Sequence, residues 1–303
     1  KTHSIKNLVK IYMFASWNPG NDMNNNITDR KTHSKAHSKT ILITGAGSGL
    51  GRGAAIGLSK LNYHVIAGVE IWPQYTSLKS EAIKKNLNID IVKLDITNKE
   101  ERQKVFDLYG DKVDILVNNA AIGETGPMAE VPVDNFRKNM EVNVFSTLEL
   151  TQLFVKKFVE KKQGKIVFVS SIAGLKTFPF FGPYCATKFA LEAVSSSLYD
   201  ELKPYGVNVC TINPGPYNTG FNDRMFDTKE TWYDENKNFT KRSDFKPMEM
   251  FLNKGQYNPK EMIDFMIMTI PMDNHKYRLM DRRKPDIIEQ GFQQQRDLWK
   301  REM

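Results

Sequence analysis

From Thr40 onward the chain alternates two kinds of hydrophobic pattern. Short apolar, β-branched runs read as buried parallel strands: "TILITG", "HVIAGVE", "IDIVKLD", "VDILVNNA", "KIVFVSS" and "VNVCTINPG". Between them lie stretches of helical character: "GRGAAIGLSKL", "TSLKSEAIKKNL", "KEERQKVFDLY", and a long run from "DNFRKNM" to "VEKK" that Gly164 is expected to stop. The last of this series, "PYCATKFALEAVSSSLYDELKPYG", is closed by Pro204 and Gly206. Strand and helix alternate six times, which predicts a doubly wound α/β fold, a parallel sheet with helices on both faces, in one domain spanning residues 39–303. After Pro214 the pattern is less regular. "HKYRLM" is the best candidate for a seventh strand, and "DIIEQGFQQQRDLWKREM" reads as a terminal helix.

Residues 1–38 break the pattern. They are polar and rich in Asn, without apolar periodicity, and read as a disordered extension. The apolar stretch "LVKIYMFASW" within them is too short and too interrupted for a convincing signal peptide. The net charge of +8 suggests a nucleic-acid partner only until it is located. Seven cations (Lys1, Lys6, Lys10, Arg30, Lys31, Lys35, Lys39) against Asp22 and Asp29 put +5 on residues 1–39, leaving +3 on the rest. The globular part carries no dense basic stripe, so no nucleic-acid role is expected. Two cysteines, Cys185 and Cys210, are too few for a disulfide framework and suit a reducing, cytoplasmic compartment. No run reaches the ~18 apolar residues of a membrane span. His3, His33 and His37 lie in the polar extension, and no metal site is expected.

Two short motifs carry candidate chemistry. "TGAGSGLG" sets Gly45, Gly49 and Gly51 between the first strand and the first helix. Glycines there let the backbone turn sharply and approach a pyrophosphate, whose charge then meets a helix N-terminus. A glycine-rich turn chosen for close packing is the plainer alternative. In "PYCATKFALE", Tyr184 and Lys188 stand four apart, so a phenol and an ammonium leave one helix face a turn apart. A free phenol titrates near ~10, and an adjacent ammonium favours phenolate, so Lys188 is expected to lower the Tyr184 pKa.

With these motifs in place, the stretch from Thr40 to about Thr219 resembles the short-chain dehydrogenase/reductase family, in its branch with a single compact Rossmann-type domain. "TGAGSGLG" matches the family's Thr-Gly-x3-Gly-x-Gly, and "NNAA" at 118–121 resembles its Asn-Asn-Ala-Gly, with Ala121 adding a methyl. "VSSIAG" places Ser171 thirteen residues before Tyr184, the family's usual separation, which selects Ser171 over Ser170. The resemblance implies that Tyr184 is the general acid/base on a substrate oxygen and that Ser171 donates a hydrogen bond to that oxygen. Lys188 would bond the nicotinamide ribose, and Asn143 would hold a water linking Lys188 to solvent. Asn143 could instead cap or bend its helix. The implied cofactor contacts are Gly45, Ser48, Gly49, Leu50 and Gly51 in the turn, Glu70 closing the second strand, and Asp95 and Ile96 after the third. Asn118 and Ala120 after the fourth strand, Pro214, Gly215 and Thr219 after the sixth, and Tyr184 and Lys188 themselves complete the set. Asp95 could instead form the turn before "ITN", and Glu70 could simply end its strand in solvent.

The resemblance implies hydride transfer between a nicotinamide cofactor and an alcohol or ketone, and a homodimer or homotetramer. NAD is expected over NADP, because an acid at position 70 would meet the adenosine ribose hydroxyls. Residues 217–257 fall where the family has its variable substrate loop. They hold Phe221, Met225, Phe226, Trp232, Tyr233, Phe239, Phe245, Met248, Met250 and Phe251, while Phe178, Phe180 and Phe181 lie between Ser171 and Tyr184. Two readings stand side by side: packing of a lid or oligomer contact, and an apolar pocket for a lipophilic substrate. Cations interleaved in the loop (Arg224, Lys229, Lys237, Lys241, Arg242, Lys246) leave room for an anionic group on that substrate. The competing function is a non-catalytic nicotinamide-binding regulator of the same fold; an epimerase or dehydratase ranks below both.

Overall fold

A computed structural model describes residues 39–280 and 286–300. The reading of residues 1–38 as a disordered extension lies outside the described residues.

Seven strands form one parallel sheet in the order β3-β2-β1-β4-β5-β6-β7. They are β1 (Thr40–Ile43), β2 (His64–Val69), β3 (Ile89–Lys93), β4 (Ile115–Asn118), β5 (Gly164–Val169), β6 (Val207–Ile212) and β7 (Arg278–Leu279). The order reverses between β1 and β4, so the loops leaving these two strands diverge and open a crevice at the strands' carboxyl ends. "HKYRLM" does supply the seventh strand, although only two of its residues pair with β6.

The helices are α1 (Gly49–Lys60), α2 (Trp72–Lys84), α3 (Lys99–Tyr109), α4 (Val133–Met140), α5 (Thr147–Lys161), α6 (Gly182–Leu202), α7 (Phe221–Asp227), α8 (Lys246–Gly255), α9 (Pro259–Thr269) and α10 (Asp286–Trp299). Side chains alternate across each strand, so β1 sends Ile41 and Ile43 to one face and Leu42 to the other. The first face packs against Ala54, Ala55 and Leu58 of α1, Leu78 of α2, and Met262, Met266 and Ile267 of α9. The second packs against Val105 of α3, Phe154 and Phe158 of α5, and Leu191 and Leu202 of α6. Both faces of the central strands are therefore almost entirely buried, which is why those strands read as predominantly apolar runs.

Two local expectations are corrected. The long helix through Asn143 is interrupted: Glu141–Ser146 winds as a π-turn between α4 and α5. The helix also does not stop at Gly164, which is the first residue of β5. It ends at Lys162, which takes the left-handed conformation (φ 51°) and donates its N–H back to the Val159 carbonyl. A left-handed C-terminal residue is a common helix stop that glycine usually supplies, and here a lysine supplies it.

Candidate active site

The glycine turn leaving β1 is held from behind by side chains of its own strand and of β4. Thr44 Oγ accepts from the Asn119 and Ala120 N–H groups at 3.0 and 2.9 Å and donates to the Val117 carbonyl. Asn119 Nδ2 donates to the Thr44 and Gly45 carbonyls at 2.9 and 3.2 Å. The two strands flanking the crevice are thus joined at its floor.

Bare backbone is required in the turn. Gly45 has φ +63°, and a Cβ there would stand 2.8 Å from the Ala120 Cα. A Cβ on Gly51 would stand 2.6 Å from the Gly45 carbonyl oxygen and 2.4 Å from Asn119 Nδ2. Ser48, exposed and extended, precedes α1 without a side-chain cap, so the first N–H groups of a twelve-residue helix are not satisfied by it. Thr219, after β6, comes within 3.3 Å of the Cβ position of Gly49. Leu50 is half-buried against the core. A tight turn of bare glycine backbone ending on a helix N-terminus fits a dinucleotide's pyrophosphate.

Ser171, Tyr184 and Lys188 converge at the carboxyl end of β5, along the same edge of the parallel sheet as the glycine turn that leaves β1. Ser171 follows β5, and its Oγ accepts the Ala173 N–H at 3.0 Å, which leaves its own proton for the Tyr184 phenol. Tyr184 lies in the first turn of α6 and is buried among Ala173, Cys185 and Met225, with the Phe221 ring centroid 5.7 Å from its own. Lys188, one turn on, donates to the Val169 carbonyl at 3.0 Å and has its Nζ 5.6 Å from the Tyr184 ring centre. One of its three hydrogens is used there, leaving donors suited to vicinal ribose hydroxyls. Ser170 is buried too, and its Oγ has no hydrogen-bond partner among the described residues.

The expected effect of Lys188 on the Tyr184 pKa is overturned. Burial pushes the Tyr184 phenol well above its ordinary range, and the Ser171 hydrogen bond offsets only part of that. Burial also lowers Lys188, to about 8, with the Glu192 carboxylate opposing the drop. Desolvation disfavours the charged form of each, and it outweighs the mutual interaction inferred from their spacing.

Asn143 lies in the π-turn and is buried. Its Oδ1 accepts from the Ile122 N–H at 2.9 Å, and its Nδ2 donates to the Ile122 carbonyl at 2.8 Å and to Thr187 Oγ at 3.0 Å. Both amide hydrogens are taken, so the side chain acts as a brace between the loop after β4 and α6. The expected water relay is not carried by those hydrogens.

Asn118 needs a similar correction. Its buried Nδ2 donates to Thr151 on α5 at 2.8 Å, so its side chain anchors a helix behind the sheet. The neighbouring Asn119, passed over in the sequence, is the one at the glycine turn; period-two alternation along β4 was the signal that could have found it. Asp95 does form the turn: its Oδ1 accepts from the Thr97 N–H and hydroxyl at 2.9 and 2.7 Å. Ile96 beside it is buried. Glu70 is exposed at the end of β2, and its carboxylate makes no hydrogen bond among the described residues. Pro214 accepts the Ile172 N–H at 3.1 Å, which ties the segment after β6 to the one after Ser171, and Gly215 stands against the Tyr257 ring.

The loop aromatics divide into two groups. Phe178, Phe181, Phe221 and Met225 pack around Tyr184. Phe180, Phe226, Trp232, Tyr233, Phe245 and Met248 form a second cluster that Phe181 joins to the first, and Phe239 and Met250 are exposed. Lys229 and Arg242 both pair with Glu230, and Lys237 pairs with Asp234. Three of the six loop cations are thus matched within the loop, which weakens the case for an anionic substrate group.

Sheet order, glycine turn and the Ser–Tyr–Lys cluster together define a doubly wound nucleotide-fold α/β protein. The family model described as short chain dehydrogenase matches residues 39–230, and the chain belongs to that family. It is similar to a 3-ketodihydrosphingosine reductase of Bacteroides thetaiotaomicron, at 34% identity over 186 residues that cover 60% of this chain and 65% of the relative. It is also similar to an NADPH-dependent 3-dehydrocapnine reductase of Ornithobacterium rhinotracheale, at 43% identity over 124 residues covering 40% of this chain and 43% of the relative. The chain thus spans less than two thirds of the length of these relatives. Among solved structures, a short-chain dehydrogenase from Streptomyces avermitilis superposes with a TM-score of 0.71 at 25% identity, over 87% of this chain and 95% of that one. No helix among the described residues is long and apolar enough to cross a membrane.

Proposed function

We propose that this chain catalyses nicotinamide-dependent hydride transfer between a lipophilic alcohol and the corresponding ketone, with NAD preferred over NADP. The observation that supports the reading is the Ser171–Tyr184–Lys188 cluster under an apolar cover, at the same carboxyl edge of the sheet as the glycine turn. A bound nicotinamide supplies the hydride chemistry. This chain's part is to hold the cofactor on the turn, with Lys188 at its ribose, and to manage the proton on the substrate oxygen. With its pKa raised, the Tyr184 phenol is protonated at neutral pH and poised to donate to a ketone oxygen. With substrate bound, Ser171 turns its one hydroxyl proton from the phenol to the same oxygen.

The apolar cover sets the substrate class. Phe178, Phe181, Phe221 and Met225 around Tyr184 offer carbon surface and no charge. The two relatives named above are reductases of 3-keto and 3-dehydro compounds, which is in keeping with a ketone substrate. The test is a panel of aliphatic ketones and alcohols of rising chain length with each nicotinamide cofactor. Each added buried methylene contributes about 0.8 kcal/mol, so kcat/KM is expected to rise roughly fourfold per carbon until the pocket is filled. A flat series would overturn the lipophilic assignment, and no turnover with any member would overturn the function.

We also infer a homodimer or homotetramer and a cytoplasmic setting. Val133 and Phe145, exposed on the α4 and π-turn segment, leave apolar surface for a second copy. Light scattering at micromolar concentration is expected to give at least twice the chain mass, and a monomeric mass would contradict the assembly. The two buried free thiols are in keeping with a reducing compartment, which a fluorescent fusion can test.

A further inference from the structure

Below the Ser–Tyr–Lys cluster lies a buried polar chain that neither the glycine turn nor the three catalytic candidates account for. Glu192 sits on α6 one helical turn beyond Lys188 and is 8% exposed. One carboxylate oxygen accepts from Asn213 Nδ2 at 2.6 Å, and the other accepts from Arg278 of β7 at 2.7 Å. Asn213, at the end of β6, uses the same Nδ2 group to donate to the Ser171 carbonyl at 3.0 Å. Its Oδ1 accepts from the Thr211 hydroxyl at 3.1 Å, and its backbone N–H donates to the Leu279 carbonyl at 3.1 Å. The edge strand β7 is therefore linked, through one carboxylate and one amide, to the backbone of the residue that hydrogen-bonds Tyr184.

We propose that Glu192 is a positioning residue of this active site, holding the Ser171 backbone through Asn213 and supplying the counter-charge that keeps Lys188 an ammonium. The proposal rests on the reading of Lys188 as the cofactor's ribose ligand. Around Lys188 the titratable groups are Tyr184 and Cys185 on its own helix and Glu192 one turn on, while β5 offers the Val169 carbonyl and the π-turn offers neutral Asn143 through Thr187. Around Glu192 they are Lys188 on α6, Arg278 from β7, and Tyr277, whose hydroxyl meets Ser195 Oγ at 2.8 Å and lies 3.4 Å from the Glu192 backbone carbonyl. Glu192 is the carboxylate in this set, and its charge raises Lys188 against the lowering effect of burial.

A purely structural ion pair is the competing account, since buried pairs often contribute little net stability. The two accounts differ in what removing the charge does to Lys188. The ammonium is present below about 8 and lost above it. Affinity for a cofactor held by that ammonium should therefore fall as pH rises through this value. In Glu192→Gln an amide oxygen remains to accept from Asn213, but the counter-charge is gone. An opposite charge one helical turn away is worth roughly one pKa unit, so the alkaline fall should begin about one pH unit lower.

The experiment is the dissociation constant of NADH, read by its fluorescence from pH 6 to 9.5, for the parent, Glu192→Gln and Glu192→Asp. With the fall displaced by about one unit, Glu192→Gln is expected to bind NADH about fivefold more weakly than the parent at pH 8 and equally at pH 6. Glu192→Asp keeps the charge and should restore the parental midpoint. A parental midpoint in folded Glu192→Gln, or the same displacement in both variants, overturns the proposal. If Glu192→Gln loses its melting transition, the neutral double variant Glu192→Gln/Arg278→Gln is read by the same criterion. A parent whose NADH binding shows no alkaline fall would instead overturn the assignment of Lys188, and failure to bind NADH would overturn the proposed function, so the outcomes separate.

Discussion

Replacing Tyr184 by Phe is expected to lower turnover of the best ketone from the panel by about 10³-fold, the usual worth of a positioned general acid. The prediction follows from where the phenol lies. Its ring is buried and packed on Phe221 and Met225, and phenylalanine keeps that packing. Only the hydroxyl and its bond with Ser171 are removed. Losing that one buried bond costs about 1 kcal/mol of stability, so the variant should fold. NADH affinity should stay within about twofold, because Lys188 keeps its bond to the Val169 carbonyl. Steady-state kinetics beside fluorescence binding measures both quantities. Activity within tenfold of the parent would remove Tyr184 as the acid, and a large loss of NADH affinity would make its role structural.

That prediction is sharper with the structure than from spacing alone, and the reason shows what a sequence does and does not carry. The strands were legible because β1, β4, β5 and β6 are covered on both faces and so are mostly apolar, broken in β5 by Lys165 and in β6 by Asn208 and Thr211. The Tyr184–Lys188 pair was legible because helical geometry fixes the relation of residues four apart. The direction of the Tyr184 pKa was not. It depends on Phe221 and Met225, which arrive from some forty residues away, and local spacing holds no record of that burial. The π-turn at Asn143 was hidden because one extra residue in a helical turn barely disturbs the apolar period. Asn118 and Asn119 are chemically identical, and only the facing of β4 tells which of them reaches the glycine turn. Arg52 lies just past Gly51 inside α1, and the sequence does not say where its side chain goes. It turns back, donating to the Gly47 carbonyl at 3.3 Å while pairing with Glu81 of α2 at 2.8 Å.

Cofactor choice brings Glu70 and Arg52 into one argument. Glu70 closes β2 with an exposed carboxylate, and a phosphate on the adenosine ribose would bring a charge near −2 to that strand end. Two like unit charges ~4 Å apart cost about 4 kcal/mol at an effective dielectric of ~20; halving this for exposure leaves a preference for NAD of about 30-fold. Arg52 is the cation that could offset this. It is committed, however: Glu81 takes its Nε and Nη2 at 3.3 and 2.8 Å, and Ser77 takes another hydrogen at 3.1 Å. Glu81 is shared with Lys85, and both cations lower its pKa, so the carboxylate stays charged and keeps its hold on Arg52 at neutral pH. The parent should therefore favour NAD in the ratio of kcat/KM values. Glu70→Ala should narrow the gap mainly by gaining affinity for NADP, because the repulsion is removed while the ribose hydroxyls lose only a solvent-exposed acceptor. Equal use of both cofactors by the parent would take Glu70 out of the site, and a preference for NADP would mean that Arg52 leaves Glu81 for the phosphate.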